Sequence, residues 1–310
     1  MTLKKFSLFV LAYNIFVILV GALVRATGSG AGCGAHWPSC QGEIIPTSPQ
    51  LETIIEFSHR LTSGLTIILV IILFIWVYKT HRKKSKIRTA ALFVLIFIIV
   101  EALIGAGLVM FELVGENSSM TRAIVIALHL VNTFLLLASN ALLYEWLRFG
   151  EPEKILLSKN GKQIIFIVVI LFLALGASGA ITALGDTLFP AESLVGGLKQ
   201  DMGGSNFLLQ LRVYHPLIAL SIGLSLYIIH SNLLSKSKNK RLNTYFKYLA
   251  GLFILQLFFG LINVILLAPI WMQIIHLLLA DIIWIILILW VIQVIFYGLS
   301  PSLPEKLLNP

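Results

Sequence analysis

Four of the seven histidines, His59, His129, His215 and His276, lie inside long apolar runs, each a turn or two past the start of its run. A polar ring in hydrocarbon is expensive to bury and is usually kept for a task. His59 belongs to IIEFSHRLTSG (54–64), which places Glu56 and Arg60 within about one helical turn of it. His215 belongs to LRVYHP, where Arg212 stands three residues ahead of the ring, at the place Glu56 holds relative to His59. The other three are ordinary by position. His81 lies in the basic stretch HRKKSK, His36 in a Gly-rich loop, and His230 beside the polar SNLLSKSK.

These residues must be positioned by helices that cross a bilayer. The chain has 310 residues, of which 58% are hydrophobic and 12% charged; a soluble domain carries roughly 25% charged residues. Eight apolar runs reach the roughly 20 residues that a spanning helix needs, near 6–26, 56–78, 89–111, 122–147, 163–183, 207–231, 243–267 and 271–298. The run after MTLKK has a 19-residue apolar core, Phe6 to Val24, longer than a signal peptide's hydrophobic segment of about 7–15 residues, so it is expected to stay as a helix. The net charge of +9 does not point to nucleic acid, because the charges fall in short loops between the runs.

The basic residues orient the chain. Of 23 Lys and Arg, 18 fall on the side that holds the N-terminus, and only Arg25, Arg60, Arg122, Lys199 and Arg212 fall on the other. Both termini are therefore expected in the cytoplasm. The only two cysteines, Cys33 and Cys40, then lie in the first outer loop, GSGAGCGAHWPSCQG. That compartment permits disulfides, and a Gly-rich loop closes easily over this gap, so a Cys33–Cys40 bond is favoured over two unpaired thiols. The spacing is poor for a metal.

A faint internal repeat organises the spans. GALVRATGSG (21–30) in span 1 parallels GAITALGDT (179–187) in span 5, and Glu101-Ala-Leu-Ile-Gly105 in span 3 parallels Gln256-Leu-Phe-Phe-Gly260 in span 7. His59 parallels His215, and His129 parallels His276. A repeat of four spans keeps its orientation, so the halves should be related by a pseudo-two-fold axis along the membrane normal. The expected fold is an all-α polytopic membrane protein of two four-helix bundles, residues 1–147 and 163–310, joined by a cytoplasmic linker, 148–162. Bundle interiors are where cofactors are held.

Even-numbered spans run inward from the outer side. The four histidines then share one layer, about 5–12 Å below the outer helix ends at ~1.5 Å per residue. A lone histidine there would be a packing residue. Two per bundle at equal depth suit axial ligation of haem iron, one ring from each of two helices. A non-haem metal would need carboxylates, and only Glu56 is near. Arg25, Arg60 and Arg212 are placed to meet anionic propionates, with snorkelling to the interface as the alternative. The Glu56/Arg212 difference gives one half an acid for proton transfer or for stabilising positive charge. The alternative is an acid favoured at a helix start. Glu101, near mid-depth of span 3, is either part of a proton path or bonded across helices. Asp281 lies about 140° around its helix from His276 and should not share the haem face.

GALVRATGSGAGCGAHWPSCQG, EFSHR, ALHL and GAITALGDTLFP together resemble the haem A synthase family of bacteria and mitochondria, over nearly the whole chain. The resemblance implies oxidation of the C8 methyl group of haem O to a formyl group, giving haem A for terminal oxidases. It implies haem b as cofactor on His215 and His276, and a haem O substrate site at His59, His129 and the catalytic Glu56. Cys33 and Cys40 match the family's outer-loop pair. It further implies a plasma-membrane location with the haem sites toward the outer side, a membrane electron donor, and haem O synthase and a homo-oligomer as candidate partners. Two departures stand out: Pro216 follows His215 where an arginine would parallel Arg60, and the second outer loop, 184–206, has no cysteines. The competing readings are a di-haem membrane cytochrome b that only carries electrons, and an oxidase-assembly protein that handles haem without catalysis.

Overall fold

The computed structural model describes residues 1–47, 49–152, 159–203, 206–231 and 239–297. Residues 153–158 of the expected linker and 298–310 at the C-terminus lie outside the described residues, as does the basic stretch 232–238. The described residues form nine α-helices and no named strand: α1 (Leu3–Ala26), α2 (Leu51–Thr80), α3 (Lys86–Met110), α4 (Met120–Phe149), α5 (Lys159–Leu188), α6 (Leu194–Gly203), α7 (Phe207–Ile229), α8 (Lys240–Ile265) and α9 (Ile270–Tyr297). All but α6 are long and apolar enough to cross a membrane. The protein is a multi-pass membrane protein.

The starts are set by polar caps. Thr2, Ser85, Ser119, Asn206 and Asn239 each accept a backbone N–H of the first helical turn through the side-chain oxygen. Such caps satisfy donors that a helix leaves unpaired at its N-terminus. Helices outrun the apolar segments that announce them. α2 begins at Leu51, just after Pro46 and Pro49, whereas the apolar run begins at 56. Hydropathy marks the part in lipid, while proline and capping mark where the helix begins. Glu56 therefore sits in the second turn of α2, and the acid in the first turn is Glu52. A helix-start role for Glu56 is ruled out by this geometry, since dipole effects fade within the first turn.

The corrected start of α2 also sharpens the histidine layer. His59, His129, His215 and His276 stand eight, nine, eight and six residues past the first residues of α2, α4, α7 and α9. The short helix α6 lies between α5 and α7, and a 3₁₀ turn, Ser29–Ala31, between α1 and α2.

Sequential helices pack as pairs: α1 on α2, α3 on α4, α5 on α7 and α8 on α9. Across the midline of the sequence, α4 packs on α5 and α9, and α1 packs on α9 and α5. One cluster of buried residues lies within the first four helices, around Val70, Leu73, Val94 and Leu143. A second bridges both halves, with Leu11 and Phe134 from the first and Phe172, Phe253 and Trp284 from the second. At its centre Phe134 stacks on Trp284 with ring centroids 5.1 Å apart, and Trp284 Nε1 donates to the Phe134 carbonyl at 2.6 Å. A Cβ at Gly176 would fall 2.6 Å from the Phe134 ring, so α5 can approach α4 here only with glycine. Small residues permit this kind of close approach between membrane helices.

Trp284→Ala should lower stability by about 3 kcal/mol or more through the cavity left in the bridging cluster. Trp284→Phe, which keeps most of the ring stack and loses the hydrogen bond, should cost about 0.5–1.5 kcal/mol. Thermal unfolding in detergent micelles reads both.

Candidate functional site

The four histidines come together as two pairs. His59 on α2 lies within electrostatic reach of His129 on α4, and His215 on α7 within reach of His276 on α9. All four residues are half-buried. The Nδ1 atoms of His59, His129 and His276 are buried without a well-formed hydrogen bond. Among the described residues, no Nε2 of the four takes part in a protein hydrogen bond. No group of three or more His, Cys, Asp or Glu gathers in a metal-binding arrangement among the described residues either. Two imidazoles per site, brought together from different helices, fit the axial ligation of haem iron and do not fit zinc or a carboxylate-bridged metal pair.

Glycines on the neighbouring helices make room for the rings. An added Cβ would fall 2.8 Å from His59 Cε1 at Gly21, 3.0 Å from His215 Cε1 at Gly179, and 3.1 Å from His276 Cε1 at Gly260. Gly21 and Gly179 are the repeated glycines of GALVR and GAITA. The fourth position differs: a Cβ at Gly105 would meet nothing within 4 Å. His129 instead lies beside Glu101, with Nδ1 3.3 Å from Oε1. Glu101 is held in turn from α4, where Thr133 Oγ1 donates to Oε1 and Asn132 Nδ2 to Oε2, both at 2.5 Å.

His215 is held differently. Its Nδ1 is 2.9 Å from Ser178 Oγ. The Ser178 hydroxyl donates to the Leu175 carbonyl at 2.8 Å, so it receives the His215 Nδ1–H and leaves Nε2 as the open lone pair. Sequence reasoning missed Ser178. Its position directly before Gly179 in the repeated segment was the available signal.

Glu56 is 3% exposed and ties the loop between α1 and α2 to α2. Its Oε2 accepts the Cys33 N–H at 2.8 Å, and its Oε1 pairs with Arg60 Nη2 at 2.5 Å. Arg60 Nη1 also donates to the carbonyls of His36 at 2.6 Å and Ser39 at 2.5 Å. Cys33 and Cys40 are joined by a disulfide with Cα atoms 4.4 Å apart. Gly32 lies so near α2 that a Cβ there would fall 2.5 Å from the Glu52 backbone, and Thr53 Oγ1 donates to the Gly32 carbonyl at 2.8 Å. The loop is clamped onto α2 one turn above His59.

The arginines expected at propionates are all engaged by protein groups. Arg25 crosses to the second half, where Nη1 donates to the Ala183 carbonyl at 2.6 Å and to Thr187 Oγ1 at 2.7 Å, and Nη2 to Gln273 Oε1 at 2.9 Å. Arg212 pairs with Asp186 at 2.9 Å and with Asp201 of α6 at 3.1 Å. Burial pushes the Asp201 carboxyl above its usual range, and the Arg212 guanidinium opposes that shift. Sequence reasoning missed both acids, because ion pairs between distant segments leave no local pattern. Asp281 is fully buried, neither carboxylate oxygen is hydrogen-bonded among the described residues, and it lies within electrostatic reach of Glu101.

A family model described as cytochrome oxidase assembly protein, COX15-CtaA, matches residues 4–288. The chain belongs to the COX15-CtaA family. The matched segment takes in all four histidines, both cysteines and Glu56, so the resemblance read from the motifs holds over nearly the full length. Among relatives of this COX15-CtaA protein, a Thermus thermophilus protein named protoheme IX farnesyltransferase is 46% identical over 285 residues, 90% of this chain and 46% of its own length. A heme A synthase of Alkalihalophilus pseudofirmus is 38% identical over 182 residues, 57% of this chain and 58% of its own. A heme A synthase of Halalkalibacterium halodurans is 42% identical over 144 residues, 46% of this chain and 45% of its own. The chain thus spans about half the length of the curated relatives it matches.

Alanine at Gly21, Gly179 or Gly260 should push the adjacent ring aside, whereas Gly105→Ala should be tolerated. Absorbance of the purified variants in the Soret region, scaled to protein, checks this. Pigment should fall in the first three and stay at the wild-type level in the fourth.

Proposed function

We propose that the protein is a haem A synthase, oxidising the C8 methyl group of haem O to a formyl group. The observation that carries the reading is the single layer of four histidines, paired across helices, with no Nε2 engaged by protein among the described residues. The family and the relatives named heme A synthase support it. The N-terminal half, residues 1–147, is the substrate half, and the C-terminal half, 163–310, is the cofactor half. His215 and His276 hold haem b, which when bound supplies one-electron transfer. His59 and His129 seat haem O. The bias of basic residues places both termini in the cytoplasm and the histidine layer toward the outer side.

Glu56 is the proton-handling group. It is buried one turn from His59 and held by Cys33 and Arg60. The corresponding position of the other half is Arg212, which is already paired with two acids. The oxygen atom comes from water or dioxygen. With water, each step from methyl through alcohol to aldehyde releases two protons and two electrons to an acceptor; with dioxygen, protons and electrons from a donor must be delivered instead. In either case a fixed carboxylate can pass the protons. Haem propionates would compete with the partners that now occupy Arg25, Arg60 and Arg212.

The Thermus relative named for farnesyl transfer matches this chain over 46% of its own length. The name of that relative describes farnesyl transfer to protohaem. A farnesylating enzyme that makes haem O is then the natural neighbour of this protein, as supplier of its substrate.

A second reading, a di-haem cytochrome b, draws on the same histidines but gives no role to the Glu56 clasp. Pigment extraction from the purified protein decides between them. Haem O or haem A beside haem b supports the synthase; two haem b groups per chain and nothing else supports the electron carrier. Glu56→Gln should retain pigment and accumulate haem O or its hydroxylated form. Normal haem A output from that variant would end the catalytic assignment.

A further inference from the structure

The two halves hold their histidines by unlike groups, and the difference falls at a repeated position. Glu101 on α3 opens EALIG (101–105), and Gln256 on α8 opens the equivalent QLFFG (256–260). Glu101 Oε1 is 3.3 Å from His129 Nδ1, and both of its oxygens receive donors from α4. Gln256 gives its Nε2 to the His276 carbonyl at 3.1 Å. The Nδ1 atoms of His129 and His276 are both buried without a well-formed hydrogen bond, as is Gln256 Oε1; of the two rings, only His129 has a carboxyl oxygen beside its Nδ1. The first half therefore brings a carboxyl group to the back of its ligand, and the second half brings an amide that bonds the backbone instead.

The surroundings explain why His129 alone leaves its glycine. Three rings are seated over Gly21, Gly179 and Gly260, but the space at Gly105 is open. Thr133 and Asn132, the residues four and three positions after His129, fix Glu101 from the same helix that carries the ring. The carboxyl group is thus held by the helix that carries the imidazole. An acceptor behind Nδ1 selects the tautomer that offers Nε2 to a metal and raises the basicity of that nitrogen. A more basic axial ligand stabilises the oxidised iron and lowers its reduction potential.

We infer that Glu101 is a positioning residue that makes His129 the stronger axial ligand, so that the haem of the N-terminal half has a lower reduction potential than the haem of the C-terminal half. This rests on the reading of the four histidines as haem ligands.

The test is a spectroelectrochemical titration of the full-length protein purified with its haems, together with low-temperature EPR of the oxidised form. His129→Ala identifies the signal of the N-terminal site. Glu101→Gln should raise the potential of that site and shift its EPR g values while leaving the other site unchanged. Gln256→Glu, the converse change, should lower the potential of the C-terminal site, and it keeps the question answerable if Glu101→Gln does not fold. Wild-type potentials that are equal, or both variants retaining wild-type potentials and g values, would overturn the inference. Failure of the underlying reading looks different: purified wild-type protein without haem, or haem content unaffected by His129→Ala and His215→Ala.

Discussion

At the depth of the histidine layer a bilayer offers no water, so every polar side chain there must be met from a neighbouring helix or left for a ligand. The arrangement of the protein follows from that constraint. Glu101 is met by Thr133 and Asn132, His215 by Ser178, Arg25 by groups on α5 and α9, and Arg212 by two acids. Among the groups that stay open are the Nε2 atoms of the paired histidines, together with buried atoms such as the Asp281 carboxyl oxygens and Gln256 Oε1. A haem iron is the partner that two such imidazoles suit.

The loop between α1 and α2 has a role of its own. A loop above the membrane needs an anchor, and Glu56 with Arg60 provides one by gripping the backbone of Cys33, His36 and Ser39. The acid that the synthase reading makes a proton carrier is thus also a clasp. The two roles are compatible, because a carboxylate that is to exchange protons at a fixed place must first be held there.

The halves share a plan and differ in detail. Glycine opposite histidine recurs at three of four positions, and the exception, Gly105, is where an acid draws the ring away. Helices α1, α4, α5 and α9 carry the contacts between the halves, with Phe134 and Trp284 at the centre. Arg25 adds a polar tie at the C-terminal end of α1, from the first half to α5 and α9 of the second.

Much of this was legible in the sequence. Eight spans and the similar depth of the four histidines in their helices follow from hydropathy and from counting residues, because lipid enforces a long apolar pattern and a helix turns depth into residue number. The difference between Glu56 and Arg212 could also be read by aligning the halves. The start of α2 could not be read from hydropathy, which does not see a helix continuing into the polar layer. Nor could the uses of the arginines: a guanidinium near an anionic ligand and one paired with a distant acid look alike in a string of letters. Only the tertiary structure brings Asp201 to Arg212, Ser178 to His215 and Glu101 to His129. Those contacts join helices far apart in sequence, and partner choice there is decided by which faces the packing turns toward one another.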